Sequence, residues 1–159
     1  KELDFFSLEI QRMSKNPASE FLQAKDIPYF SVCSPSTHDM SPIRAWWEES
    51  ERAQIQRFYQ QELGFQGEAP YFCEPFVAQA IFQQHLSWPS MWAVFPIQDI
   101  LAVDASIRRA NPFDERINEP SNPQHYWRYR LHTTLEDLQQ QTGLNRWIRD
   151  MLVKAGRSN

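Results

Sequence analysis

The sequence predicts an α/β protein, rich in helix, whose strands pair in parallel. Short apolar runs such as Ile27–Cys33 and Met91–Phe95 carry the β-branched and aromatic residues of buried strands. Long segments of helical periodicity lie between them, as crossover connections require. The 159 residues are 42% apolar and 23% charged, and a chain of that length buries about two-thirds of its unfolded surface without disulfides or a structural metal.

In the first segment, Ser7-Leu8-Glu9-Ile10-Gln11 alternates as a half-buried strand, while Leu3, Phe6, Ile10 and Met13 recur at helical spacing, so the period leaves both open. Asn16-Pro17-Ala18-Ser19 is a break, and Ser19 can cap a short helix through Ala24. Ile27–Cys33 follows as a strand. Ser41 is a good N-cap with Pro42 at the first helical position, which predicts a helix to about Leu63 closed by Gly64. Ile43, Trp47, Ile55, Phe58 and Tyr59 share its apolar face; Glu48, Glu49, Glu51 and Arg52 form a solvated one. Pro75 to Leu86 is a second helix, Met91–Phe95 a strand, and Ile97–Leu101 a short helix. Residues 104–132 show little periodicity and three prolines, and loops that long are usually functional unless disordered. The density of Tyr126, Trp127 and Tyr129 argues against disorder. Thr133-Thr134-Leu135-Glu136 matches a capping box for a helix to about Gln141. A last helix runs from about Asn145 to Lys154, closed by Gly156.

Several function classes fall away. A net charge of −4 with scattered Lys and Arg opposes nucleic-acid binding. The longest uncharged stretch, Pro75 to Gln98, is too polar to span a bilayer. Cys33 and Cys73 lack metal or redox spacing and read as buried free thiols of a reducing compartment, which suits the cytoplasm. His85, His125 and His132 share no helical spacing, so no metal site is expected. Only four glycines are present and none forms a phosphate-binding loop. No nucleophile elbow appears. No signal peptide is visible and the chain opens at Lys1, which suggests a processed product or a piece of a longer protein.

In parallel α/β architectures, chemistry gathers in loops after the carboxyl ends of strands. The first such loop holds Ser36-Thr37-His38-Asp39, and an imidazole beside a carboxylate can grip vicinal sugar hydroxyls and hold negative charge near a developing oxocarbenium ion. A plainer reading has Asp39 capping the loop and His38 packed on Trp46. Trp46 and Trp47 could each be core or a stacking platform for a pyranose. The second loop holds Arg116–Pro120 and Tyr126–Arg130, where amide donors and rings also suit an uncharged polyol; alternatively Arg128 or Arg130 pairs with a buried Asp99 to pin the loop.

Taken in order, Ser36-Thr37-His38-Asp39-Met40-Ser41, Trp46-Trp47-Glu48-Glu49, Pro96–Leu101, Arg116–Pro120 and Tyr126–Leu131 resemble the 4-α-glucanotransferases, the amylomaltases or disproportionating enzymes. The wording is most similar to their longer branch, which carries N-terminal starch-binding modules. The resemblance implies a (β/α)8 barrel, with Phe6–Met13, Tyr29–Cys33 and Met91–Phe95 as its sixth, seventh and eighth strands. It implies Asp39 as the third, transition-state-stabilising carboxylate, with His38 and Asn118 contacting a maltooligosaccharide or α-1,4-glucan, and no cofactor; Trp46 and Trp127 are the candidate stacking rings for that sugar. Nothing here matches the family's nucleophile or acid/base. Glu136 only superficially resembles the latter, and Ala45 stands where relatives often have Gly. A complete barrel needs roughly 250 residues, so residues 1–159 are expected to be its C-terminal three-eighths, with no complete second domain, inactive without the upstream remainder. The alternatives are a non-catalytic glucan-binding fragment, or a structural remnant that self-associates through exposed apolar surface.

Overall fold

Alternation prevails over helical spacing in the first segment of the computed structural model, which describes residues 5–158. Leu3, a member of the competing helical pattern, lies outside the described residues. Ser7–Ile10 forms β1, Ser31–Ser34 forms β2 and Trp92–Ala93 forms β3, in one sheet of order β1-β2-β3 with both pairings parallel. The strands are shorter than the runs that announce them. Leu8, Val32 and Trp92 stand in register across the sheet.

The helices are α1 (Ile43–Glu49), α2 (Arg52–Arg57), α3 (Pro75–Ser87), α4 (Ile97–Leu101), α5 (Leu135–Gln140) and α6 (Thr142–Lys154). Helix α3 packs against one side of the sheet, where the Cys33 Sγ meets the His85 carbonyl at 3.6 Å and the Gln11 and Gln84 side chains are hydrogen-bonded. Ile43, Trp47, Ile55, Phe58 and Tyr59, the expected apolar face, are all buried in one core with Val77, Ala78 and Ile81 of α3. The other side of the sheet is bare: Leu8, Trp92 and Val94 are 50%, 58% and 51% exposed.

The single helix expected from Ser41 to Leu63 is broken. Ser50 and Glu51 are extended (ψ 156° and 133°), α2 begins at Arg52, and a π-helical turn, Phe58–Glu62, ends the run before Gly64 at φ +72°. On either side of the break both helices are tied to one segment: Trp47 Nε1 and Arg52 donate to the Pro70 carbonyl, and Arg52 also reaches Ala69. Arg52 stays exposed while tethered through its guanidinium. Ser41 is not the N-cap. Pro42 takes that position and the Ile43 N–H donates instead to Asp99 Oδ1 of α4 at 2.8 Å.

The helix expected from Ser19 to Ala24 is absent. Ser19 Oγ donates to the Phe21 carbonyl, Phe21 and Leu22 are buried, and a 3₁₀ turn forms at Ala24–Asp26. The capping box sits one residue later than expected, between Thr134 and Asp137. Helix α6 starts at Thr142 rather than Asn145, and Gly156 follows at φ +66°. Residues 104–132 contain one short 3₁₀ turn, Pro112–Glu115. Both cysteines are buried free thiols. Among the described residues, no helix is long and apolar enough to cross a membrane.

Candidate functional site

The turn after β2 is tied from both sides. Ser34 Oγ donates to the Ser36 carbonyl at 2.6 Å, and Ser36 Oγ donates to the buried Asp99 carboxylate. Met40 N–H closes on the Thr37 carbonyl, and the Asp39 N–H donates to Thr37 Oγ1 at 3.3 Å. This turn presents His38 and Asp39 outward, with side chains 53% and 57% exposed. Asp99 therefore serves Ser36 and the start of α1, not an arginine of the second loop. Burial raises its pKa, opposed by the hydrogen bonds from Ser36 and Ile43.

Two segments far apart in sequence meet at Asp39. His38 Nε2 lies 3.1 Å from Oδ2, and Asn118 Nδ2 donates to Oδ1 at 2.8 Å. The imidazole of His38 rests on Trp127, not Trp46, with ring centroids 5.1 Å apart and planes 50° tilted. In the same loop the arginines stack on tyrosines: the Arg128 guanidinium lies 5.3 Å from the Tyr126 ring. An open cleft of about 470 Å³ runs beside Asp39, between Thr37, Met40 and the end of β1 with Ile10 and Met13. That volume lies within the range of roughly 300–1,000 Å³ usual for small-molecule sites.

His38, Asp39, Asn118 and Trp127 are thus gathered, and Trp46 is not among them. Trp46 is half-buried on the core, edge-on to Phe58 with centroids 5.0 Å apart. The Arg12 guanidinium covers its ring at 4.9 Å. Arg12 also donates to the Ser41 carbonyl at 2.8 Å and to Met40 Sδ, bracing the far side of the turn. Burial brings its pKa down to about 10, with Asp99 and Glu49 pulling the other way. Arg12 follows β1 at the same end of the sheet, but nothing in its local sequence announces it, because its partners Trp46 and Ser41 are distant along the chain.

Nor does the local sequence announce the buried pair of Arg44 on α1 with Glu115, whose Nη1 and Oε1 are 3.1 Å apart. Burial pushes the Glu115 carboxyl up to about 7 against the pull of Arg44. Each histidine ring other than His38 meets a backbone carbonyl through one of its nitrogens: His85 at Ile81, His125 at Ile117 and His132 at Ile107. No group of three or more metal-ligating side chains occurs among the described residues.

A family model described as 4-alpha-glucanotransferase matches residues 1–136. The chain belongs to that family. It is 44% identical to the 4-alpha-glucanotransferase DPE2 of Oryza sativa subsp. japonica over 99% of the chain, which is 17% of that protein. It is 31% identical to a 4-alpha-glucanotransferase of Chlamydia muridarum over 72% of the chain and 21% of that protein. Its fold resembles an amylomaltase from Streptococcus agalactiae solved in complex with acarbose, with a TM-score of 0.71 and 16% identity over 98% of the chain and 28% of that chain. This member of the family therefore spans about a fifth of the length of the curated relatives it matches.

Proposed function

We propose that the full-length protein is a retaining 4-alpha-glucanotransferase and that this chain supplies part of its active site. The observation that carries the reading is the arrangement around Asp39: each carboxylate oxygen is faced by a polar side chain, one from His38 beside it and one from Asn118 in the other loop. Trp127 adds an exposed ring next to His38, and an open cleft adjoins the group. An ionised carboxylate only accepts hydrogen bonds, so Asp39 can take those of two vicinal sugar hydroxyls. Such bonds strengthen as the sugar ring flattens towards an oxocarbenium ion. His38 and Asn118 offer donors to neighbouring hydroxyls, and Trp127 offers an apolar face to the ring. Trp46, already covered by Arg12, serves by bracing the turn.

In this reading the nucleophile and the acid/base come from the rest of the protein. A covalent glucosyl intermediate forms there, and a sugar hydroxyl replaces water as acceptor. β1, β2 and β3 stand as the sixth, seventh and eighth strands of a (β/α)8 barrel, whose remainder covers the bare side of the sheet. The acarbose bound to the similar amylomaltase supports a saccharide ligand.

The test is disproportionation of maltotriose by the full-length protein, by its Asp39→Asn variant and by this chain alone. The variant is expected to keep less than about a tenth of wild-type transfer, as loss of a transition-state contact gives. The chain alone is expected to be inactive. Transfer above that tenth removes Asp39 from its role, and turnover by the chain alone means that its own residues include the nucleophile and acid/base.

A further inference from the structure

Two charge pairs join the segments whose tips meet at Asp39, and the chemistry above uses neither. Arg44 and Glu115 form the first, with side chains only 5% and 1% exposed. Arg44 also donates to the Arg109 carbonyl at 2.7 Å, and Gln98 Nε2 donates to the Glu115 carbonyl at 3.2 Å. Glu49 and Arg116 form the second, each about one-third exposed. Arg44 and Glu49 belong to α1, the helix that leads out of the His38–Asp39 turn. Glu115 and Arg116 immediately precede Ile117 and Asn118. Beyond them the loop is mostly exposed.

Burying a charge pair is a poor way to gain stability, because desolvation offsets most of the attraction and an apolar pair of similar volume often does as well. A charge pair can instead fix register, because its two side chains meet in one arrangement only. We propose that Arg44 with Glu115, and Glu49 with Arg116, are positioning pairs that set Asn118 and Trp127 against Asp39 and His38. The inference rests on the reading of that cluster as the glucan-transfer site. It assigns the fixed spacing between the two loops to α1, which carries one half of each pair.

The experiment is a double-mutant cycle in the full-length protein, reading maltotriose transfer and maltotriose binding together; binding stays measurable when turnover is lost. Arg44→Met/Glu115→Leu removes the buried pair without stranding a charge. Glu49→Gln breaks the more exposed pair and serves where the first variant fails to fold. Each is made in the wild-type and in the Asn118→Ala background, with thermal melting as the check on folding. Folded variants are expected to lose about 10-fold in kcat/KM and in affinity in the wild-type background. In the Asn118→Ala background the loss is expected to be below about 2-fold, as for residues that act through a shared partner. Equal losses in both backgrounds, or full activity in folded variants of both pairs, overturn the proposal. If Asp39→Asn is inactive while the losses are equal, positioning alone fails; if Asp39→Asn retains transfer, the site reading fails as well.

Discussion

His85 is the fully buried imidazole of α3, with Nδ1 on the Ile81 carbonyl and its ring 4.3 Å from that of Trp88. Burial brings its pKa down to about 4 from the usual 6.5. A base whose folded pKa is depressed binds fewer protons folded than unfolded, so its contribution is whole above the unfolded value and is lost as pH falls towards the folded one. Lowering the pH from 7 to 4.5 should therefore cost about 2 kcal/mol through this residue, at about 1.4 kcal/mol per unit. His85→Phe keeps a ring against Trp88 and should remove that part of the acid sensitivity in urea unfolding at the two pH values; an unchanged difference between them would exclude it. At this scale residue type announces which side chains the structure gathers around Asp39. His38, Asp39 and Asn118 stand in strand-end loops as an imidazole, a carboxylate and an amide, and the structure brings the three into contact. Arg12, Arg44 and Glu115 were not legible, because their meaning lies in partners distant along the chain. The alternative that pairs Asp99 with Arg128 or Arg130 does not hold, because nothing local announces that a carboxylate will cap a helix from another element.

Among the elements, ends were more legible than continuity. Gly64 and Gly156 have the positive φ that chain reversal demands, and both were expected to close helices. The capping box slipped by one residue because Thr133/Glu136 and Thr134/Asp137 are overlapping frames of similar chemistry; in the structure, Asp137 takes the reciprocal bond. The break between α1 and α2 has no local signal; what the two helices share there is a distant partner, the segment around Ala69 and Pro70. The end of α6 carries a comparable long-range tie. The Arg157 guanidinium donates to the carbonyls of Leu86, Trp88 and Ser90 within 2.8 Å and to Met91 at 3.4 Å, holding the whole turn between α3 and β3. Arg157→Met keeps the aliphatic stem and leaves these carbonyls without their donor, at an expected cost of about 2–3 kcal/mol in unfolding free energy. Arg157→Lys should restore less than half of that loss, because an ammonium cannot reproduce the planar fork. Full restoration by Lys would show that charge alone matters at this position.

At the scale of the whole molecule, the parallel α/β class was legible from short apolar runs alternating with helical ones, and the sheet has the parallel order that alternation implies. Parallel sheets are normally covered on both faces. Here helices cover one face, and the other leaves Phe6, Leu8, Phe30, Trp92 and Val94 each close to half exposed or more. Contiguous apolar patches beyond a few hundred Å² are rare on monomers and drive association. Two consequences separate the isolated chain from the full-length protein. In isolation, the weight-average mass by light scattering should rise with concentration, and a paired substitution, Leu8→Glu with Val94→Glu, should suppress the rise by placing like charges on the bare face. In the full-length protein, if the proposed barrel closes over that face, the same pair should lower the melting temperature and abolish transfer, because an unpaired buried charge is strongly destabilising. A monomeric mass at every concentration, together with a full-length variant that melts and transfers as the wild type does, would mean that the face is open in both settings. The strands would then not line a closed barrel, and Asp39 would have to meet its catalytic partners across some other surface.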